Sequence, residues 1–88
     1  MFLLVVSSRF KRNLKRFLRK YPKLEPIIKE KLNALSRDLR HKDLKTHKLT
    51  GRLKNFFAIS ITYEHRLIFS IQEDSLFLLA IVAHDEVY

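Results

Sequence analysis

The chain has 88 residues, of which 18 are lysine or arginine and 9 are aspartate or glutamate, so its formal net charge is +9 at pH 7. A hydrophobic content of 47% with one glycine and two prolines is typical of a folded chain, and we expect a single domain over residues 1–88. The absence of cysteine excludes disulfides and cysteine-based metal sites, while the basic excess indicates nucleic acid, an acidic protein or an anionic membrane surface as partner.

Residues 2–6 are apolar and end in β-branched side chains, so we expect a first strand there. This start resembles a signal sequence, but it lacks a basic leading region, its apolar run is too short, and positive charge follows at once. No stretch approaches the length of a membrane span. The sequence therefore predicts a cytoplasmic protein with no membrane segment.

Two amphipathic helices are expected after this strand. Ser7 and Ser8 are suitable caps for the first helix, and Pro22 ends it because the residue before a proline is pushed out of the α region. A second apolar stripe begins at about Pro26 and predicts a helix antiparallel to the first. The first helix carries only positive charges on its polar faces: Arg9, Lys11, Arg12, Lys15, Arg16, Arg19 and Lys20.

The remaining half of the chain combines a basic loop with a predicted sheet. Residues 41–54 show no regular pattern, and Gly51 is expected to form a turn within them. Three apolar runs follow with short polar breaks between them, which predicts an antiparallel meander over residues 56–61, 66–71 and 76–83. The expected order is β-α-α-β-β-β, an α+β fold with a helix hairpin on one face of a small antiparallel sheet.

The lengths of the polar breaks predict a register for the meander. Two-residue turns at Tyr63-Glu64 and Glu73-Asp74 would leave Arg66 on the face away from the helices. A slip of one residue in either turn would exchange the two faces. The face expected to pack on the helices consists of alternating apolar residues: Phe56, Ala58, Leu67, Phe69, Ile71, Leu76, Leu78, Ala80 and Val82.

Five short segments occur together in this chain: FKRNLKRF at 10–17, Tyr21-Pro22, HKLTG at 47–51, HRLIF at 65–69 and HDEVY at 84–88. In this order and spacing, the chain resembles the RelE/ParE superfamily of bacterial and archaeal toxins, and in particular its YafQ/RelE-like branch. The resemblance covers essentially the whole chain, and the combination is more specific than any one segment. It implies the RelE-like fold and a toxin of a type II toxin–antitoxin system, paired with an acidic or amphipathic cognate antitoxin.

The resemblance also implies an activity. Members of this branch are mRNA interferases, endoribonucleases that cut messenger RNA in the ribosomal A site without a metal, by attack of the RNA 2′-hydroxyl on the adjacent phosphate. The implied partners are therefore mRNA and the 70S ribosome with its 16S rRNA, and no small-molecule cofactor is expected. Matched by position, the implied site residues are His47, Arg66, His84 and Tyr88.

The chain departs from the pattern of this branch at two places. Ser60 stands where a histidine is expected, and Glu64-His65 stand where an aspartate followed by a tryptophan is expected. A serine hydroxyl cannot transfer a proton near neutral pH. Glu64 and His65 are therefore accessory candidates for the site.

The chemistry of the four site residues agrees with these implied roles. Histidine, with an unperturbed pKa of about 6.5, suits proton transfer, and the planar guanidinium of arginine binds phosphate oxygens. An aromatic ring can stack on an unpaired base, which contributes about 1–3 kcal/mol. We therefore assign proton transfer to His47 and His84, the phosphate to Arg66 and stacking to Tyr88. Which histidine is the acid and which the base stays open.

Other interpretations of the same residues remain. Arg66 could form a structural ion pair with Glu64, Asp85 or Glu86, and the four histidines lack the spacing of metal ligands, so no metal site is expected. Two further functions are open: a ParE-like toxin that inhibits DNA gyrase without catalysis, and a non-enzymatic basic module that binds RNA or the ribosome. If the chain is an mRNA interferase or a basic RNA-binding module, phosphate contacts are expected from the following residues: Lys11, Arg12, Lys15, Arg16, Lys48, Arg52 and Lys54.

Overall fold

The structure is a computed structural model that describes residues 1–51 and 54–83. Two helices lie on one face of a five-stranded sheet, which confirms the predicted α+β architecture. No helix in the described residues is long and apolar enough to cross a membrane. The elements are β1 (Leu3–Val6), α1 (Ser8–Lys20), α2 (Glu25–Arg37), β2 (His47–Lys48), β3 (Phe57–Ser60), β4 (His65–Gln72) and β5 (Ser75–Ala83).

The sheet differs from the prediction in two respects. Its strand order is β1-β5-β4-β3-β2, and β1 runs parallel to β5, so the sheet is mixed and only its other pairs are antiparallel. The short strand β2 lies inside residues 41–54, where the sequence predicts a loop, and it pairs with β3. A strand of two residues is too short to leave an alternating pattern, and the direction of β1 is set by packing far away in the sequence.

Both predicted helices are present, with the expected signals at their ends. The Ser7 hydroxyl accepts a hydrogen bond from the Phe10 N–H at 3.0 Å, which satisfies one of the free donors of the first turn of α1. Pro22 follows the end of α1 and opens a short 3-10 turn that leads into α2. The local rules for capping and for proline therefore place these helices correctly.

Buried side chains form one core on each side of the sheet. The larger core lies between the sheet and the helices, where Phe10, Ile28 and Leu35 pack against strand residues such as Leu67 and Phe69. The smaller core lies on the opposite side, which we call the open face, and consists of Leu49, Ala58 and Ile68 with Phe56 and Val82 packed against them. The open face is therefore partly apolar, as the sequence predicts.

The register between β3 and β4 is shifted by one residue from the prediction. A two-residue turn at Tyr63-Glu64 would place Ile61 opposite Arg66, but Ser60 occupies that position. The turn is wider because the Thr62 hydroxyl accepts a hydrogen bond from the Glu64 N–H at 3.2 Å, an arrangement typical of threonine in turns. As a result Phe57, Ile59 and Ile61 face the helices, and the predicted positions of Phe56 and Ala58 on that face are wrong.

The turn between β4 and β5 is predicted correctly, but β5 contains an irregularity that the sequence does not reveal. Gln72 pairs with Ser75 as the Glu73-Asp74 turn requires, and the register then shifts because Ile68 pairs with Ala80 while Phe69 pairs with Leu78. The skipped residue is Leu79, so this is a β-bulge. Beyond it the two faces of β5 exchange. The residues that face the helices are Leu76, Leu78 and Ile81, whereas Val82 lies on the open face.

Candidate functional site

Two of the predicted site residues share the open face of the sheet. His47 of β2 pairs with Ala58, and Arg66 of β4 pairs with Ser60, so all four side chains lie on the face opposite the helices. The strand β3 separates β2 from β4. From ordinary sheet spacings, the Cα atoms of His47 and Arg66 are about 12 Å apart. The structure therefore brings an imidazole and a guanidinium to the same face of the sheet.

The position of His47 depends on a backbone reversal just before it. Lys45 has a φ of 51°, in the left-handed region, and it ends a 3-10 turn so that the chain can pair with β3. The Nδ1 atom of His47 lies 3.1 Å from the carbonyl oxygen of Lys45. Since a carbonyl can only accept, Nδ1 carries the proton in this hydrogen bond, and in the neutral ring Nε2 is the nitrogen with the lone pair.

Arg66 donates hydrogen bonds to backbone carbonyl groups of the turn between β3 and β4. Its Nη1 atom donates to the carbonyl oxygens of Thr62 at 2.7 Å, Tyr63 at 3.1 Å and His65 at 3.1 Å. Within residues 1–51 and 54–83, Arg66 forms no ion pair with a carboxylate, so the predicted alternative partner Glu64 is not one. Among the described residues no partner bonds its Nε or Nη2, and the other predicted alternative partners, Asp85 and Glu86, lie outside the described residues.

The two accessory candidates lie at the same end of the sheet as Arg66, but His65 faces the other way. Its ring centroid is 4.9 Å from that of Phe17 and 4.9 Å from that of Tyr21, on the helix side. The Nδ1 atom of His65 also lies 3.0 Å from the Thr62 hydroxyl. Glu64 is exposed in the turn between β3 and β4. The structure therefore does not bring His65 together with His47 on the open face.

The position where the resemblance calls for a histidine adjoins Arg66. Ser60 is half-buried, and its hydroxyl donates to the Thr62 carbonyl at 3.2 Å, so it shares an acceptor with the Arg66 guanidinium. Ser60 and Arg66 also face each other directly across β3 and β4. Ser60 thus contributes a neutral hydroxyl to the open face beside the only described arginine of the sheet.

Four of the predicted RNA-contacting residues, Lys11, Arg12, Lys15 and Arg16, lie on the exposed side of α1, which packs on β5. Lys11 and Lys15 lie beside Leu14, and Arg16 lines a groove between α1 and the turn that joins β3 to β4. Lys48 lies on β2, which two strands separate from β5. Arg52, His84 and Tyr88, which the sequence analysis also names, lie outside the described residues.

Three further basic residues, which no sequence motif assigns to the site, lie near His47. Arg40, Lys42 and Lys45 join Lys48 around a pocket of about 460 Å³ at the β2 edge. The 3-10 turn at Lys42–Leu44 and the left-handed Lys45 bring these residues together. The dense charge of residues 41–54 is the only sign of this in the sequence. In the described parts of the chain, no three histidine, aspartate or glutamate side chains are grouped so that they could hold a metal ion.

No protein-family model and no curated protein matches this sequence. Solved structures do match it over almost its full length. A metal-bound toxin from Helicobacter pylori has a TM-score of 0.79 at 24% identity, with 100% of each chain covered. YafQ from Escherichia coli strain BL21(DE3) has a TM-score of 0.80 at 16% identity, with 100% of this chain and 99% of that chain covered.

A third match is the YoeB–YefM complex from Staphylococcus aureus, with a TM-score of 0.75 at 21% identity and coverage of 96% of this chain and 98% of that chain. Since matches of this kind at such low identity establish a shared fold, the chain has the fold of RelE-like toxins. The fold predicted from the sequence resemblance is thereby confirmed.

Proposed function

We propose that the chain is the toxin of a type II toxin–antitoxin system and that it cuts mRNA on the ribosome. The shared fold with YafQ and with the toxins from Helicobacter pylori and Staphylococcus aureus supports the first part. The second part rests on one observation, that His47 and Arg66 lie on the same open face. A proton-transfer group and a fixed cation beside a phosphate are what RNA transesterification requires.

The proposed reaction is attack by an RNA 2′-oxygen on the adjacent phosphorus. The 2′-hydroxyl gives up its proton as the new P–O bond forms, and the 5′-oxygen leaves with its bonding electrons and takes up a proton. The products are a 2′,3′-cyclic phosphate and a 5′-hydroxyl end. His47 and His84 are the proposed proton-transfer groups, Arg66 stabilises the charge that develops on the phosphate, and Tyr88 stacks on a base.

The test is primer-extension mapping of cuts in a reporter mRNA, with and without translation of that message. Wild type is compared with His47→Ala, His84→Ala and Arg66→Ala, and Lys29→Ala serves as the control because Lys29 is exposed on α2, on the helix side of the sheet and away from the open face. We expect cuts that need translation, disappear in the three site variants and persist in the control. Cuts that persist in His47→Ala would contradict the assigned role of that histidine.

Ser60 favours a second function, inhibition of DNA gyrase without catalysis. The residue opposite Arg66 cannot transfer a proton near neutral pH, and a toxin that acts only by binding needs no such group there. Supercoiling of plasmid DNA by purified gyrase, with the protein added, tests this alternative. Inhibition of supercoiling without RNA cleavage would support it, and absence of both effects would leave a basic module that binds RNA or the ribosome.

A cognate antitoxin is the proposed protein partner, and it would act in the cytoplasm. The strand β1 is an edge strand whose outward side chains are exposed, Leu3 at 65% and Val5 at 37%, and the open face next to it is partly apolar. An added strand or an amphipathic helix from an acidic partner fits such a surface on a chain of net charge +9. Co-purification with the product of a short neighbouring reading frame tests this, and Leu3→Lys should weaken it.

A further inference from the structure

A groove of about 840 Å³ lies between the C-terminal half of α1 and the turn that joins β3 to β4. It lies mainly on the helix side of the sheet, against Phe17 and Ile81, and it reaches past the edge of β5 to Val82 of the open face. The lining residues that can recognise a ligand are Arg16, Lys20, Tyr21, Tyr63, Glu64 and His65.

The groove contains an aromatic ring that the protein leaves uncovered. Tyr63 is 89% exposed, the most exposed aromatic side chain among the described residues. The wall opposite is aromatic too, because the Tyr21 ring packs against His65 with centroids 4.9 Å apart. Lys20 Nζ lies 5.6 Å from the centroid of Tyr21. A flat ring between these elements would find a free face of Tyr63 on which to stack.

The charges in the groove fit a phosphate next to that ring. Arg16 and Lys20 are one helical turn apart on α1, both are exposed, and they line the same side of the groove. Glu64 is the only acid among the lining residues described. Its carboxylate would repel a phosphate on the turn side, and it can accept a hydrogen bond from the amino or imino group of a base.

These features together fit an unpaired nucleotide better than a duplex or an acidic peptide. A duplex presents phosphates but no free base face, so Tyr63 would gain no contact. An acidic peptide would use Arg16 and Lys20, but it would be repelled by Glu64 and would have no ring for Tyr63. Single-stranded RNA supplies both a phosphate and a base face.

We propose that this groove binds one unpaired nucleotide of single-stranded RNA, with its base stacked on Tyr63 and its phosphate held by Arg16 and Lys20. The proposal rests on the proposed function and names a specificity site for it. The Tyr63 carbonyl accepts a hydrogen bond from Arg66 Nη1 at 3.1 Å, so the groove and the phosphate site of the open face share one turn. The bound nucleotide therefore flanks the scissile phosphate, and Glu64 helps to select its base.

The first test measures binding without cleavage. A fluorescently labelled 2′-O-methyl oligoribonucleotide, which cannot undergo 2′-hydroxyl attack, is titrated in single-stranded form and as a duplex, with anisotropy as the readout. Tyr63→Ala should weaken binding of the single strand by roughly 5- to 150-fold and leave duplex binding unchanged. Tyr63→Phe keeps the ring and should bind within about twofold of wild type.

The cation part of the site is tested through the salt dependence. Arg16→Gln and Lys20→Gln should each reduce the slope of log K against log salt for the single strand by about 0.7. Lys29→Gln is the matched control, because Lys29 is exposed on α2 and does not line the groove. Equal slopes for Arg16→Gln and Lys29→Gln would contradict a phosphate site at α1.

Three outcomes would overturn the proposal: unchanged single-strand affinity in Tyr63→Ala, an equal loss for the duplex, or a loss of affinity only for an acidic peptide. Failure of the groove and failure of the proposed function remain distinguishable. Translation-coupled cleavage with unchanged oligonucleotide binding in Tyr63→Ala would keep the nuclease and refute the groove. Ring-dependent binding without any mRNA cleavage would keep the groove and refute the nuclease.

Discussion

Asn13 joins α1 to the part of β5 that β1 does not reach. The parallel pairing of β1 with β5 ends at Val6 and Leu78, and within the described residues no strand flanks β5 on that side any further. Asn13 Oδ1 accepts a hydrogen bond from the Ile81 N–H at 2.8 Å, and its Nδ2 donates to the Ile81 carbonyl at 3.4 Å. The side-chain amide thus takes the place of a neighbouring strand, and it fixes the helix beside the bulge.

The replacement Asn13→Ala should lower the free energy of unfolding, and the two hydrogen-bond distances allow the size of this effect to be estimated. The 2.8 Å bond is of ordinary strength and the 3.4 Å bond is weak, so removal of both from this half-buried position should cost about 1–2 kcal/mol. Alanine regains about 0.5 kcal/mol because it is a better helix former than asparagine. The net decrease in the free energy of unfolding should therefore be about 1 kcal/mol.

Asn33→Ala is the matched control. Asn33 is exposed on α2, and no described residue bonds its side chain, so this change should gain the helix preference alone and stabilise the protein by about 0.5 kcal/mol. Urea unfolding followed by circular dichroism gives both values. The two variants should differ by about 1–2 kcal/mol, and equal stabilities would refute the role given to the Asn13 amide.

Three further changes test other parts of the structure. Leu78→Ala should lower the free energy of unfolding, measured in urea, by about 3 kcal/mol, and Leu79→Ala should lower it by less than half of that. The reason is that the bulge leaves Leu78 2% exposed and Leu79 37% exposed. Similar losses of stability in the two variants would contradict the bulge. Arg66→Ala should lower the free energy of unfolding by about 1–2 kcal/mol because it releases the carbonyls of the turn, and an unchanged thermal midpoint would argue against that contact. Ser60→His should raise translation-coupled cleavage by about tenfold or more if proton transfer at this position limits the rate, and an unchanged cleavage rate would show that it does not.

The helices and the second turn of the meander could be predicted because their signals are local. A serine cap, a proline after the last helical turn and a two-residue break each act within a few positions of the chain. The direction of β1 has no such signal. It is decided by pairing with β5, more than seventy residues away, and a run of four apolar residues reads the same in either direction.

The contacts of the candidate site could be predicted only in part. The sequence places Arg66 on the face away from the helices, which is correct, but the three carbonyls that its Nη1 contacts follow from the wider turn and not from any pattern. The bulge at Leu79 is also invisible in the sequence, since an unbroken apolar run of β5 shows no alternation from which a shift could be read.

The shifted turn also determines that His47 and Arg66 lie on the same face of the sheet. In the predicted register, Ala58 lies on the helix face, so a histidine paired with it would lie on the side of the sheet opposite Arg66. In the observed register, Ala58 pairs with Ile68 on the open face, and His47 therefore lies on the same face as Arg66. The hydrogen bonds from Arg66 Nη1 to the turn carbonyls help to hold that register. Arg66 thus has two roles in the proposal, as a cation for the phosphate and as a donor of hydrogen bonds within the turn on which this register depends.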